Sequence, residues 1–209
     1  MEFLSYLITG ISLGSIYAII ALGYTMVYGI AKMLNFAHGD VIMVGAYVSF
    51  YVTMFAGSNL LGDDPSTLAS GIVALVSVLL AMAVCTVLGI VIEGLAYRPL
   101  REAPSLAVLI TAIGVSYLLQ QVAQLSWSSN PKSFTSVVSG MKPVSLFGGQ
   151  LTISAETIVT IVACVVIMVV LMWFVNYTPA GHAMLAVSED RGAAQLMGVN
   201  VNGTISLTF

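Results

Sequence analysis

The stretch Lys32–Tyr47, KMLNFAHGDVIMVGAY, decides how this chain is read. Apolar residues run up to it from Phe3 and away from it to Phe55. Between those runs stand Asn35, His38 and Asp40, three side chains that hydrocarbon penalises. The simpler reading is a tight surface hairpin, with Lys32 at the water boundary and Asn35 or Asp40 capping the start of a second helix. The sharper reading turns His38 and Asp40 toward a polar passage, because ionisable groups at membrane depth usually mark a functional route. A lone His-x-Asp pair is too small a set for a metal site or a proton relay.

The composition supports a membrane setting. Hydrophobic residues make up 59% and charged residues 7%, against roughly 25% charged in a soluble domain. Mean hydropathy is +1.03, more apolar surface than a water-soluble core could hide. The 6 Lys and Arg are scattered singly, which excludes a nucleic-acid-binding face. Cys85 and Cys164 each lie inside a long apolar run and read as small buried hydrophobes rather than a disulfide. No metal-ligand spacing, catalytic constellation or resident cofactor site is visible. The opening MEFLSYLITG lacks the positive region of a removable signal peptide, and the apolar run behind it is too long for one.

A helix needs about 20 apolar residues to cross a bilayer. Five segments reach or approach that length: Leu4–Ile30, Val41–Phe55, Leu68–Ile92, Leu106–Trp127 and Ile153–Val175. The second spans only if Asn35–Asp40 enters the membrane with it. A further run, Ile205–Phe209, reads as the start of a sixth helix, so the chain is expected to be part of a longer permease-like protein. The predicted fold class is all-α: a polytopic integral membrane protein, residues 1–209 forming one transmembrane domain. Placing residues 93–105 and 176–204 inside puts Lys32, Arg98, Arg101 and Arg191 in the cytoplasm and leaves Lys132 and Lys142 outside. That bias places the amino terminus outside, and Trp127 and Trp173 fall at helix ends, where indoles favour the interface.

Several positions stand out within the spans. Gly10, Gly14, Ala18 and Leu22 repeat every four residues, a small-residue face that invites close helix packing. Tyr17, Tyr24 and Tyr28 lie on a neighbouring face. Tyr117, Gln120, Gln121 and Gln124 share one face of the fourth helix. Amides there serve either as interhelical glue or as the lining of an uncharged polar route. Glu93 and Glu156 lie near helix ends, so the spans carry almost no charge, unlike an ion-coupled pump.

Residues 181–198 are too polar to span and too helix-friendly for a simple loop. Ala183, Met184 and Val187 form an apolar patch; Glu189, Asp190 and Arg191 make a charged turn; Gly198 and Asn200 suit a helix stop. A helix lying on the bilayer is usually rich in Lys and Arg. This one holds a single Arg beside two acids, which fits a surface for another protein better.

LGSIYAIIALGYTMVYGIAKMLNFAHGDVIMVGAY, YRPLR and AVSEDRGAAQLMGVNVN together closely resemble the LivH-type permeases of the ABC importers for branched-chain amino acids. The resemblance runs along essentially the whole chain. It implies a multi-pass subunit of the bacterial inner membrane that pairs with a second, similar permease. Two cytoplasmic ATPases would drive the pair, binding the ATP themselves, and a periplasmic binding protein would deliver leucine, isoleucine or valine. Residues 181–198 would then be the coupling helix seated in an ATPase cleft, with Ala186, Glu189, Asp190, Arg191, Ala194 and Gly198 at the coupling positions. Asn35, His38, Asp40, Tyr117, Gln120, Gln121 and Gln124 are the candidates for the translocation path. The chain itself would not be an enzyme: none of Lys32, Lys132 or Lys142 sits in a phosphate-cradling G-x-x-x-x-G-K-[ST] loop. Two other transport readings stay open. One is the same machine carrying urea or short amides. The other is a stand-alone secondary transporter, which predicts inverted repeats and finds only the echo of LITGI (7–11) in LITAI (109–113). An intramembrane hydrolase lacks paired carboxylates.

Overall fold

The computed structural model describes residues 2–59, 67–101, 103–132, 144–146 and 151–209. Five helices are long and apolar enough to cross a membrane: α1 (Glu2–Ala31), α2 (His38–Asn59), α3 (Thr67–Ile92), α4 (Ser105–Trp127) and α5 (Ala155–Tyr177). Three short helices close the chain: α6 (Pro179–Glu189), α7 (Arg191–Leu196) and α8 (Val201–Thr208). The fold is all-helical and polytopic. The exception among the described residues is a small antiparallel hairpin, β1 (Val144–Leu146) with β2 (Leu151–Ile153), Val144 opposite Ile153. The predicted outer loops at 57–67 and 128–150 fall largely outside the described residues, as does Lys142.

Local chemistry sets the helix ends. Lys32 takes a left-handed conformation (φ 52°) after α1, its N–H still donating to the Tyr28 carbonyl at 3.0 Å. Six residues later α2 begins at His38, so His38 and Asp40 lie inside the second span and Asn35 lies before it. The helical path of α3 does not stop at Ile92 but continues through one π-helical turn, Glu93–Tyr97, and one 3-10 turn, Arg98–Leu100. Ser154 caps α5, accepting from the Thr157 N–H at 3.3 Å. Thr178 does the same for α6, accepting from Gly181, and Pro179 sits at the first helical position, where its missing N–H costs nothing.

The buried core sits at one end of the bundle. Val27, Ile30, Ala31, Ile92, Tyr97, Val108, Ala112, Met184, Val187, Ala194 and Ile205 form a single cluster. It joins the end of α1, the end of α3, the start of α4 and the three short helices. Lys32, Arg98, Arg101 and Arg191 all belong to the segments that meet there, so this is the end for which the positive-inside rule predicts a cytoplasmic position. Toward the other end the spans are mostly uncovered, as expected of surfaces that face lipid or other subunits.

A Cβ added at Gly10 or Gly14 would meet nothing within 4 Å, so none of the described residues covers that side of α1. The close approach is between α2 and α3. Gly45 lets the Cys85 sulfur come within 2.7 Å of where a Cβ would stand, the Cys85 thiol donates to the Val41 carbonyl at 3.4 Å, and Ser49 meets Ser77 at 3.3 Å. Val41, Gly45 and Ser49 repeat every four residues along this seam. Both cysteines are free thiols.

Candidate functional site

Two constellations bring the candidate residues together. The first is the platform of α6, α7 and α8. The single helix expected over 181–198 is two, divided at Asp190. Its backbone is extended there (φ −149°, ψ 114°), and Oδ1 accepts from the N–H groups of Gly192 and Ala193 at 2.7 and 3.1 Å. An Asp caps a new helix start more readily than it continues an old one. Gly198 ends the unit in the left-handed region at φ 88°, where glycine carries no Cβ penalty.

The sequence-predicted coupling residues point in different directions. Ala194 is buried and Ala186 packs against the core. The Arg191 guanidinium donates to the Ala31 carbonyl at the end of α1, where the helix dipole favours a cation. Asp190 is engaged as a cap. Glu189 is exposed, and so are Leu196 (91%) and Met197 (85%). All three side chains are left outside the buried core.

The platform is tied to both membrane hairpins. Arg191 holds α1. On the other side a buried ion pair joins Glu93 to Arg101. The Ser206 hydroxyl donates to Glu93 at 3.0 Å, and Arg101 donates to Ser206 at 3.2 Å and to the Asn202 side chain, binding α8 to the α3–α4 turn. Gly181 lies so close to α5 that a Cβ would press into the carbonyls of Phe174 and Val175.

The second constellation lies along α2 and α4. Asn35 is 8% exposed, and its Oδ1 accepts from the Tyr97 hydroxyl at 3.0 Å, which pins the first hairpin to the π-helical turn. His38 faces α1: its ring is 6.5 Å from that of Tyr24 and borders an open groove of about 480 Å³ shared with Tyr17, Ile20 and Phe36. Asp40 faces the opposite way. It is 8% exposed and accepts from the Ser116 hydroxyl and, at 3.0 Å, from Gln120 Nε2, both on α4. The carboxylate thus joins two spans instead of capping its own helix. Of the four residues predicted to share a face of α4, Gln120 alone reaches Asp40. Gln124 donates to Ser129 at 2.7 Å, while Tyr117 and Gln121 are exposed.

Toward the outer end the same seam closes with aromatics. Tyr47 stacks on Trp127 at 4.5 Å, and the Lys132 ammonium lies 4.5 Å from the Tyr51 ring centre and 5.6 Å from that of Phe50. Trp127 therefore packs against α2 as well as ending a span. Among the described residues no group of three or more His, Cys, Asp or Glu could hold a metal.

The family model described as "Branched-chain amino acid transport system / permease component" matches residues 6–209. The whole chain is 39% identical to the high-affinity branched-chain amino acid transport system permease protein LivH of Salmonella typhimurium, and equally to LivH of Escherichia coli. It is 38% identical to the corresponding permease protein BraD of Pseudomonas aeruginosa. In each case the match covers 100% of this chain and 66% of the longer relative. No solved structure matches the chain.

Proposed function

Because the chain belongs to the family of branched-chain amino acid transport system permease components, we propose that it is one membrane subunit of a bacterial inner-membrane importer for leucine, isoleucine and valine. It pairs with a second permease, receives cargo from a periplasmic binding protein and hydrolyses no ATP itself. Two cytoplasmic ATPases bind and hydrolyse ATP, and one of them seats against α6 and α7.

The observation that supports this reading most is the placement of Glu189, Leu196 and Met197. They stay exposed on a platform that is tied to both membrane hairpins. An acid with two exposed apolar side chains suits a cleft in a protein better than a bilayer surface. A push on that face reaches α1 through the Arg191–Ala31 contact and reaches α3 and α4 through Asn202, Ser206, Arg101 and Glu93. An ATPase stroke of this kind would move the inner ends of α1, α3 and α4 together.

The test is to purify the chain with its neighbouring subunits, reconstitute the complex into liposomes and measure ATP-dependent uptake of labelled leucine against labelled urea. Leucine uptake that stops when ATP is withheld is the expected result. Urea uptake without leucine uptake would reassign the cargo, and leucine uptake indifferent to ATP would remove the coupling role.

A further inference from the structure

We infer that Asp40 is the residue that receives the α-ammonium group of an amino acid as it passes through the membrane. The inference rests on the amino-acid reading above and names the group that recognises the cargo.

Asp40 lies in the first turn of a membrane-spanning helix, almost wholly buried. Burying a carboxylate is costly unless an opposite charge or a full set of hydrogen bonds offsets it. Its two partners, Ser116 and Gln120, are neutral. The ion pair found among the described residues is Glu93–Arg101, so no Lys or Arg of those residues neutralises Asp40. Of the two partners, Gln120 is the exposed one. It stands between the carboxylate and the open side of α4.

That open side has the character of an approach route. Gln124, Tyr117 and Gln121 follow Gln120 around the helix within about 100° of arc. All three are exposed in the chain. Polar groups at membrane depth must face water or protein. A zwitterion moving along this strip would offer its carboxylate to the amide N–H groups and its three ammonium donors to Asp40, displacing the Gln120 amide. The aliphatic side chain would lie against the apolar remainder of the spans. A cargo without a positive charge leaves Asp40 unpaired.

The experiment uses the reconstituted complex and labelled leucine. Asp40→Asn keeps an acceptor for Ser116 and Gln120 but removes the charge. Uptake at saturating leucine should fall about tenfold or more while the complex still co-purifies, and Asp40→Glu should recover part of it. Gln120→Lys, which supplies a tethered ammonium, should also block uptake. Leucine uptake by Asp40→Asn equal to the wild type overturns the proposal. If both Asp40 variants fail to assemble, Gln120→Lys decides: normal leucine uptake by that variant overturns it, and blocked uptake in an assembled complex supports it. The wild-type arm keeps the two readings apart. A wild-type complex that carries urea and not leucine refutes the amino-acid reading and the proposal with it, whereas leucine uptake by both wild type and Asp40→Asn refutes the proposal alone.

Discussion

The hydroxyl of Tyr97 donates to Oδ1 of Asn35 at 3.0 Å, across 62 residues of sequence, at a point where Tyr97 has no exposed surface. This bond locks the α1–α2 connection against the π-helical turn after α3. Tyr97→Phe leaves the Asn35 oxygen buried without a donor and should lower stability by about 1–3 kcal/mol. Asn35→Leu in the same background should recover part of that loss, and thermal unfolding in detergent measures both.

The buried Glu93–Arg101 pair makes an asymmetric prediction. Removing one partner, as in Glu93→Ala, leaves an uncompensated charge and should cost about 3–5 kcal/mol. The double variant Glu93→Leu with Arg101→Met should be markedly milder. A double-mutant cycle on unfolding midpoints checks this, and equal losses for the single and double variants would contradict it.

Gly45 and Cys85 meet at the α2–α3 seam, with no room for a Cβ at position 45. Gly45→Ala should therefore destabilise the pair of helices by about 1–3 kcal/mol, the usual range for overpacking. Cys85→Ala should rescue it, because it removes the sulfur that the new methyl strikes. Unfolding midpoints of the three variants decide the matter.

On the platform, capping and docking should separate. Asp190→Asn keeps a good cap and should be nearly silent in stability, while Asp190→Ala should cost about 1 kcal/mol. Glu189→Lys combined with Leu196→Ser alters only exposed side chains. It should leave membrane insertion intact and abolish most ATP-driven uptake. Uptake at the wild-type level would remove the docking role.

The spans were legible because an apolar run of about 20 residues has few other fates. The break at Asn35–Asp40 was legible as an anomaly, but not in its partners. Tyr97 and Gln120 lie 62 and 80 residues from the groups they bind. No local pattern encodes that distance. The Gly10–Leu22 repeat shows that α1 can be approached closely, but spacing does not say which helix arrives, and none of the described residues lies against Gly10 or Gly14. The division at Asp190 was visible in principle, since an acid ahead of Gly192 and Ala193 is a cap signature. The helix-friendly residues on both sides masked it.

The position of the core has one consequence beyond transport. The buried hydrophobic cluster gathers at one end of the bundle, and much of the surface of the spans beyond it is bare, like fingers from a palm. A copy made without its companion subunits should sit in the bilayer splayed and be cleared quickly by membrane proteases, so its abundance in the cell should follow that of its partners.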